Sequence, residues 1–147
     1  MDLKVILEEW SVDCKIDDNH LDDTSRETPK LHAKYLQWLA EAKLAKKRAE
    51  FKQKTLLKQK WLWYNGKMSE EEIKDLGWKF DPLDGLKIMK GEMDYYYDSD
   101  PEIQQSEEKI QYWKTVIETL TEIITNLNWR HQTIGNMIRW KQFEAGM

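Results

Sequence analysis

Between residues 54 and 64 the chain reads Lys54, Lys58, Lys60, Trp61, Trp63 and Tyr64 at close spacing. Ammonium groups neutralise phosphates and release counterions, while aromatic faces stack on unpaired bases of any identity. Together they could hold a single strand of nucleic acid without reading its sequence. Upstream, Lys43 and Lys47 extend the pattern. Lys43, Lys47, Lys54, Lys58 and Trp61 follow one another at steps of 4, 7, 4 and 3, which keeps them on one helical face. Trp63 falls on a separate apolar stripe, so Trp61 and Tyr64 are the better stacking candidates. The candidate nucleic-acid-binding set is Lys43, Lys47, Lys54, Lys58, Lys60, Trp61 and Tyr64. The competing reading is a solvated lysine-rich face that ends in core aromatics. Against it, acids are nearly absent from this face, whereas a merely soluble helix mixes signs through i,i+4 pairs.

The charge of the whole chain conceals this segment. The formal net charge is −4. Residues 30–67 nevertheless carry eleven Lys and Arg against only Glu41 and Glu50, a local +9. Residues 1–29 come to −6, 68–108 to −9 and 109–147 to +2. Binding follows local potential, so a basic stripe inside an acidic protein says more than the overall balance.

The element that must carry the stripe opens at Thr28-Pro29, a hydroxyl N-cap followed by proline at the first helical position. No glycine or proline then intervenes before Gly66, which predicts one long helix over about 29–65. Tyr35, Ala42, Ala49, Leu56 and Trp63 give it an apolar side, with small residues where a second helix can approach closely. Before it, residues 2–10 space Leu3, Ile6, Leu7 and Trp10 as a short amphipathic helix, and 11–28 read as a loop containing at most one helical turn. After it, Ser69 with Glu72 forms a capping box for a short helix that Gly77 should stop. Residues 78–101, with two prolines and several acids, read as a mostly irregular arm; Tyr95-Tyr96-Tyr97 is expected as an extended docking segment.

Asp100-Pro101 starts the last element, a second long helix over about 102–143. Ile110, Trp113, Ile117, Leu120, Ile124, Leu127, Ile134 and Ile138, with His131 between Leu127 and Ile134, alternate along it at steps of 3 and 4: a heptad seam of about four repeats. Val116, Ile123 and Met137 add a second apolar flank. Such a helix suits a homo-oligomer touching several neighbours, and the eight seam residues are the oligomerisation candidates. The same pattern also fits a core helix packed on the Tyr35–Trp63 stripe, and both can hold.

Other chemistry finds no support. The sequence has no nucleophile elbow, Walker loop, dinucleotide fingerprint or paired helical histidines. His20, His32 and His131 lack partners at ligand spacing, and the lone Cys14 forms no intramolecular disulfide, so neither metal nor cofactor is expected. An enzyme is not expected. With no apolar run of membrane-spanning length and no signal-peptide core, the expected setting is the cytoplasm, without membrane association.

At Tyr35-x-x-Trp38-Leu39, Lys46-Lys47, Leu57-Lys58-x-Lys60 with its aromatic pair, Gln111-Tyr112-Trp113 and Phe143-Glu144-Ala145-Gly146, the chain resembles the UvsY family of recombination mediators of T4-like phages. Residues 66–105 are the least similar. The resemblance implies a helical protein forming a ring-like oligomer, a heptamer in the known member. It also implies binding of single-stranded DNA, loading of a RecA-like recombinase onto it and displacement of the single-strand-binding protein, in the host cytoplasm. The family's DNA-binding motif pairs a lysine with an arginine two residues later. Lys58 matches the lysine; Lys60 keeps the charge but lacks the planar fork.

The expected architecture is therefore all-α, with two long helices and short N-terminal and central ones. Residues 1–101 form a single-strand-binding region with an acidic arm at 68–101, and 102–147 form the oligomerisation helix. A reading of another class is a helical adaptor that oligomerises and binds partner proteins without nucleic acid.

Overall fold

The computed structural model describes residues 1–146. Among them lie five helices and no strand: α1 (Leu3–Asp13), α2 (Leu21–Tyr64), α3 (Glu70–Leu76), α4 (Met93–Ser99) and α5 (Pro101–Glu144). The all-α architecture with two long helices is as expected. The chain forms two compact units, Met1–Ala45 with Trp113–Met147, and Lys46–Tyr112.

The first unit packs α1 and the first part of α2 against residues from 113 onward of α5. Its core holds Ile6, Tyr35, Ala42, Val116, Leu120, Ile123 and Leu127. Tyr35 is fully buried, with Trp10 and Trp38 set edge-on to its ring at 5.6 and 5.4 Å. Its hydroxyl donates to Asp13 Oδ2 at 2.8 Å, beside the Lys34 ammonium at 2.7 Å. Burial alone would raise the Asp13 carboxyl; the bonds from Lys34 and Tyr35 overcome it and hold it below the usual carboxylate range. Asp2 caps the start of α1 by accepting from Val5 N–H at 2.9 Å. The guanidinium of Arg130 closes its far end, donating to the carbonyls of Asp13 and Lys15 at 3.0 and 3.2 Å.

The seam on α5 resolves here into inward and half-buried members. Leu120 and Leu127 lie inside the core of a single chain, Ile134 is buried, Trp113, Ile117 and Ile124 are half-buried, and Ile138 is 42% exposed. Most of the apolar periodicity thus serves packing within the chain.

Two boundaries differ from the sequence expectation. α2 begins at Leu21, eight residues before Pro29, so the proline lies inside the helix. Thr28 does not cap: its hydroxyl bonds back to the Thr24 carbonyl at 3.1 Å, and Thr24 does the same to His20 at 3.0 Å. That is how threonine behaves inside a helix. Asp22 and Asp23 suit the positive end of the helix, and both pair with Arg26. The second difference is α4, which makes Tyr95-Tyr96-Tyr97 helical rather than extended.

The second unit holds 46–64 of α2, α3, α4 and the start of α5, with Ala49, Met68, Ile73, Ile103 and Ile110 buried. α2 ends at Tyr64, and beyond it Gly66, with a φ of 68°, lets Lys67 N–H reach back to the Leu62 carbonyl at 2.8 Å. α3 begins and ends where expected: Ser69 accepts from Glu72 N–H at 3.2 Å, and Gly77 adopts the left-handed conformation. α5 starts at Pro101 behind Asp100, whose Oδ1 accepts from the N–H groups of Glu102 and Ile103 at 2.9 and 3.1 Å.

Candidate nucleic-acid interface

Residues 46–64 of α2 present opposite sides of very different character. A helix turns about 100° per residue. Counting from Phe51, residues 47, 54, 58 and 61 fall within roughly 80° of it, while residue 60 lies about 180° away. The structure follows this geometry. Lys47, Lys54 and Lys58 are exposed, as is Trp61 at 39%. Lys43, in the first unit, is exposed as well. Glu50 sits beside the stripe, with Lys46 and Lys47 at 3.5 and 3.7 Å from its carboxylate oxygens, spacings that carry little energy in solvent.

Lys60 departs from the expectation that it belongs to the binding face. It is only 3% exposed and forms an ion pair with Asp100 at 3.1 Å, itself 2% exposed. Its ammonium also lies 3.4 Å from Glu102 and stands over the rings of Trp63 and Trp78, at 4.4 and 4.0 Å from their centroids. The reason is angular: Lys58 and Lys60 are about 200° apart around one helix and cannot share a face. Lys60 is a structural cation that joins α2 to the start of α5 in this unit.

Tyr64 belongs to the same inner network. Its hydroxyl donates to Asp100 Oδ2 at 2.7 Å and its ring meets Tyr96 at 5.6 Å. Burial, then the bond to Asp100, push the phenol well above its ordinary range. Trp63 donates from Nε1 to the Lys79 carbonyl at 2.8 Å and packs against Trp78. Of the aromatics at 61–64, Trp61 alone is exposed, and Lys67 Nζ stands 4.7 Å from its ring centroid.

The sequence reading overlooked Phe51. It is 55% exposed and lies between Lys47 and Lys54, whose ammoniums are 5.2 and 5.8 Å from its ring centroid. The signal was present as the step of seven from Lys47 to Lys54. Position 51 fills that gap on the same face.

The outer face of this helix therefore alternates cations with exposed rings, the combination that holds phosphates and unpaired bases. Residues 9–147 match the model of the family described as UvsY, recombination, repair and ssDNA binding protein. The chain belongs to the UvsY family. Among solved structures it is similar to the bacteriophage T4 recombination mediator protein UvsY. In one crystal form the TM-score is 0.82 at 23% identity, covering 99% of this chain and 98% of that one. In a second crystal form the TM-score is 0.79 at 21% identity, covering 98% and 99%. At these identities the likeness is one of fold. No curated protein sequence matches the chain. Among the described residues of this UvsY-family chain, no helix is long and apolar enough to cross a membrane.

Proposed function

We propose that this UvsY-family protein is a recombination mediator. It binds single-stranded DNA on a ring-like homo-oligomer and promotes loading of a RecA-like recombinase while displacing single-strand-binding protein. The observation that carries the reading is the outer face of α2, where Lys47, Lys54 and Lys58 surround the exposed rings of Phe51 and Trp61. Lys60 and Tyr64 support this face from inside. Each chain offers few cations, so affinity comes from arraying copies: identical weak sites raise the effective concentration of the strand.

Assembly is assigned to the 102–147 region, and a heptamer is the expected size. With Leu120 and Leu127 committed to the core, the exposed apolar side chains on α5 assigned to neighbours are Ile138 and, on the far side of the helix from it, Trp129 and the stacked pair Trp140–Phe143. These four are 42%, 60%, 60% and 71% exposed. The half-buried Trp113, Ile117 and Ile124 pack against the core cluster of the same chain. Wrapping the strand on such a ring presents DNA in a form on which the recombinase nucleates. The acidic stretch 68–108 serves as a docking region for a basic partner protein.

Lys54→Ala combined with Lys58→Ala is expected to weaken binding of a labelled oligothymidylate and flatten its salt dependence. The log–log slope should fall by about 0.7 for each phosphate that is no longer neutralised. Mass by light scattering and thermal stability should stay unchanged, because both side chains are exposed. An unaltered salt slope would remove the basis for the DNA assignment and leave the adaptor reading.

A further inference from the structure

We propose that Phe51 is a base-stacking platform, with one unpaired base of a single strand lying on its ring while Lys47 and Lys54 hold the flanking phosphates. The inference rests on the reading of this face as the single-strand surface and adds a residue and a binding chemistry to it. A lone exposed apolar side chain needs no explanation in itself. What distinguishes Phe51 is its setting. It stands on the face of α2 away from the buried Lys60, in register with the cations, and is more than half exposed. An ammonium approaches it from one turn before and another from one turn after.

That placement matches what stacking requires. The ring is a flat, rigid surface with no polar tip of its own, so a base can cover it without displacing a hydrogen bond. A base has a π face whatever its identity, which makes the interaction tolerant of sequence. Lys47 and Lys54 are about 10 Å apart along the axis, on either side of the ring, and long flexible stems carry both ammoniums. When a base takes the ring, the ammonium it displaces is free to move to a phosphate. Trp61 repeats the unit about 15 Å further along the same helix, with Lys67 as its cation. Two ring-and-ammonium units in register give the strand two stacking points per chain.

The test compares two strands of equal length, an oligothymidylate and an abasic deoxyribose-phosphate strand, bound to the full-length chain across a salt series. Phe51→Ala is expected to lower affinity for the oligothymidylate by at least about fivefold, the lower end for loss of one stacked base. The abasic strand should bind as before, with the same salt slope for both strands, and Phe51→Trp should restore the affinity. Equal losses on both strands, or none on either, overturn the stacking role. If Phe51→Ala binds normally while Lys54→Ala with Lys58→Ala binds weakly, only the platform fails and the single-strand surface stands. If the wild-type chain shows no salt-dependent binding to either strand, the reading of the surface itself fails. An unchanged circular-dichroism melt for Phe51→Ala separates the loss of a stacking surface from the loss of the fold.

Discussion

Replacing Lys60 by alanine is expected to lower the stability of the 46–112 unit by about 3–5 kcal/mol, the usual cost of removing one partner of a buried ion pair. Lys60 and Asp100 are both almost fully buried, 3.1 Å apart. Without the ammonium, the Asp100 carboxylate keeps its bonds from Tyr64 and from two N–H groups of α5, but loses its cationic partner. The same substitution removes the cation over Trp63 and Trp78. Asn at position 100 retains the capping oxygen and carries no charge. Asp100→Asn should therefore recover part of the loss in the Lys60→Ala background, with a coupling between the sites of about 0.5–3 kcal/mol. Urea unfolding followed by tryptophan fluorescence measures both effects. Wild-type stability in Lys60→Ala, with reduced DNA affinity, would return Lys60 to the binding face.

The same pair makes stability depend on pH. Burial alone would raise the Asp100 carboxyl, but the Tyr64 hydroxyl, the Ile103 N–H and Lys60 outweigh it and hold the group below its ordinary value. A depressed folded-state pKa means the stabilisation is present above the unfolded-state value, about 3.9, and is lost as pH falls through the folded one. The wild-type chain should lose stability below about pH 4 more steeply than Asp100→Asn. Parallel acid profiles for the two would mean that this carboxylate is not held by its partners.

Features decided by neighbouring residues were readable from the sequence. Ser69 and Gly77 bound α3, Gly66 stops α2, and Asp100-Pro101 opens α5, because caps and left-handed positions are short-range. The start of α2 was misplaced because a Thr-Pro pair suits a helix start equally well as an interior in which threonine hydroxyls bond back one turn. Tyr95-Tyr96-Tyr97 gave no local sign of a helix, since what holds it lies far away in sequence: Tyr97 donates to the Leu57 carbonyl at 3.2 Å, and Tyr96 meets Tyr64. Charge counting placed Lys60 with Lys58, whereas the angle between them separates a solvent cation from a buried one. The same arithmetic, applied to the gap at position 51, would have found Phe51.

Leu120 is the point at which packing and assembly can be told apart. A seam of period 3.5 reports that a face is covered and is silent on whether the cover is the same chain or another. In the first unit Leu120 is fully buried in the cluster that also holds Ile6, Tyr35 and Ala42. Leu120→Ala is therefore expected to cost about 2–5 kcal/mol through poorer packing and a residual cavity. Leu120→Glu should abolish folding of this unit, because a carboxylate there has no partner and total stabilities are only about 5–15 kcal/mol. By contrast, Trp140→Ala with Phe143→Ala removes a stacked pair that lies in solvent within one chain. That variant should keep its helical content while its mass by light scattering falls below that of the wild-type protein. Stability of an oligomer depends on concentration, so melts must be compared at equal protein concentration. A Leu120→Ala variant with unchanged melting but a smaller mass would move Leu120 to the interface between chains; unchanged mass in Trp140→Ala with Phe143→Ala would take the assembly surface away from the end of α5.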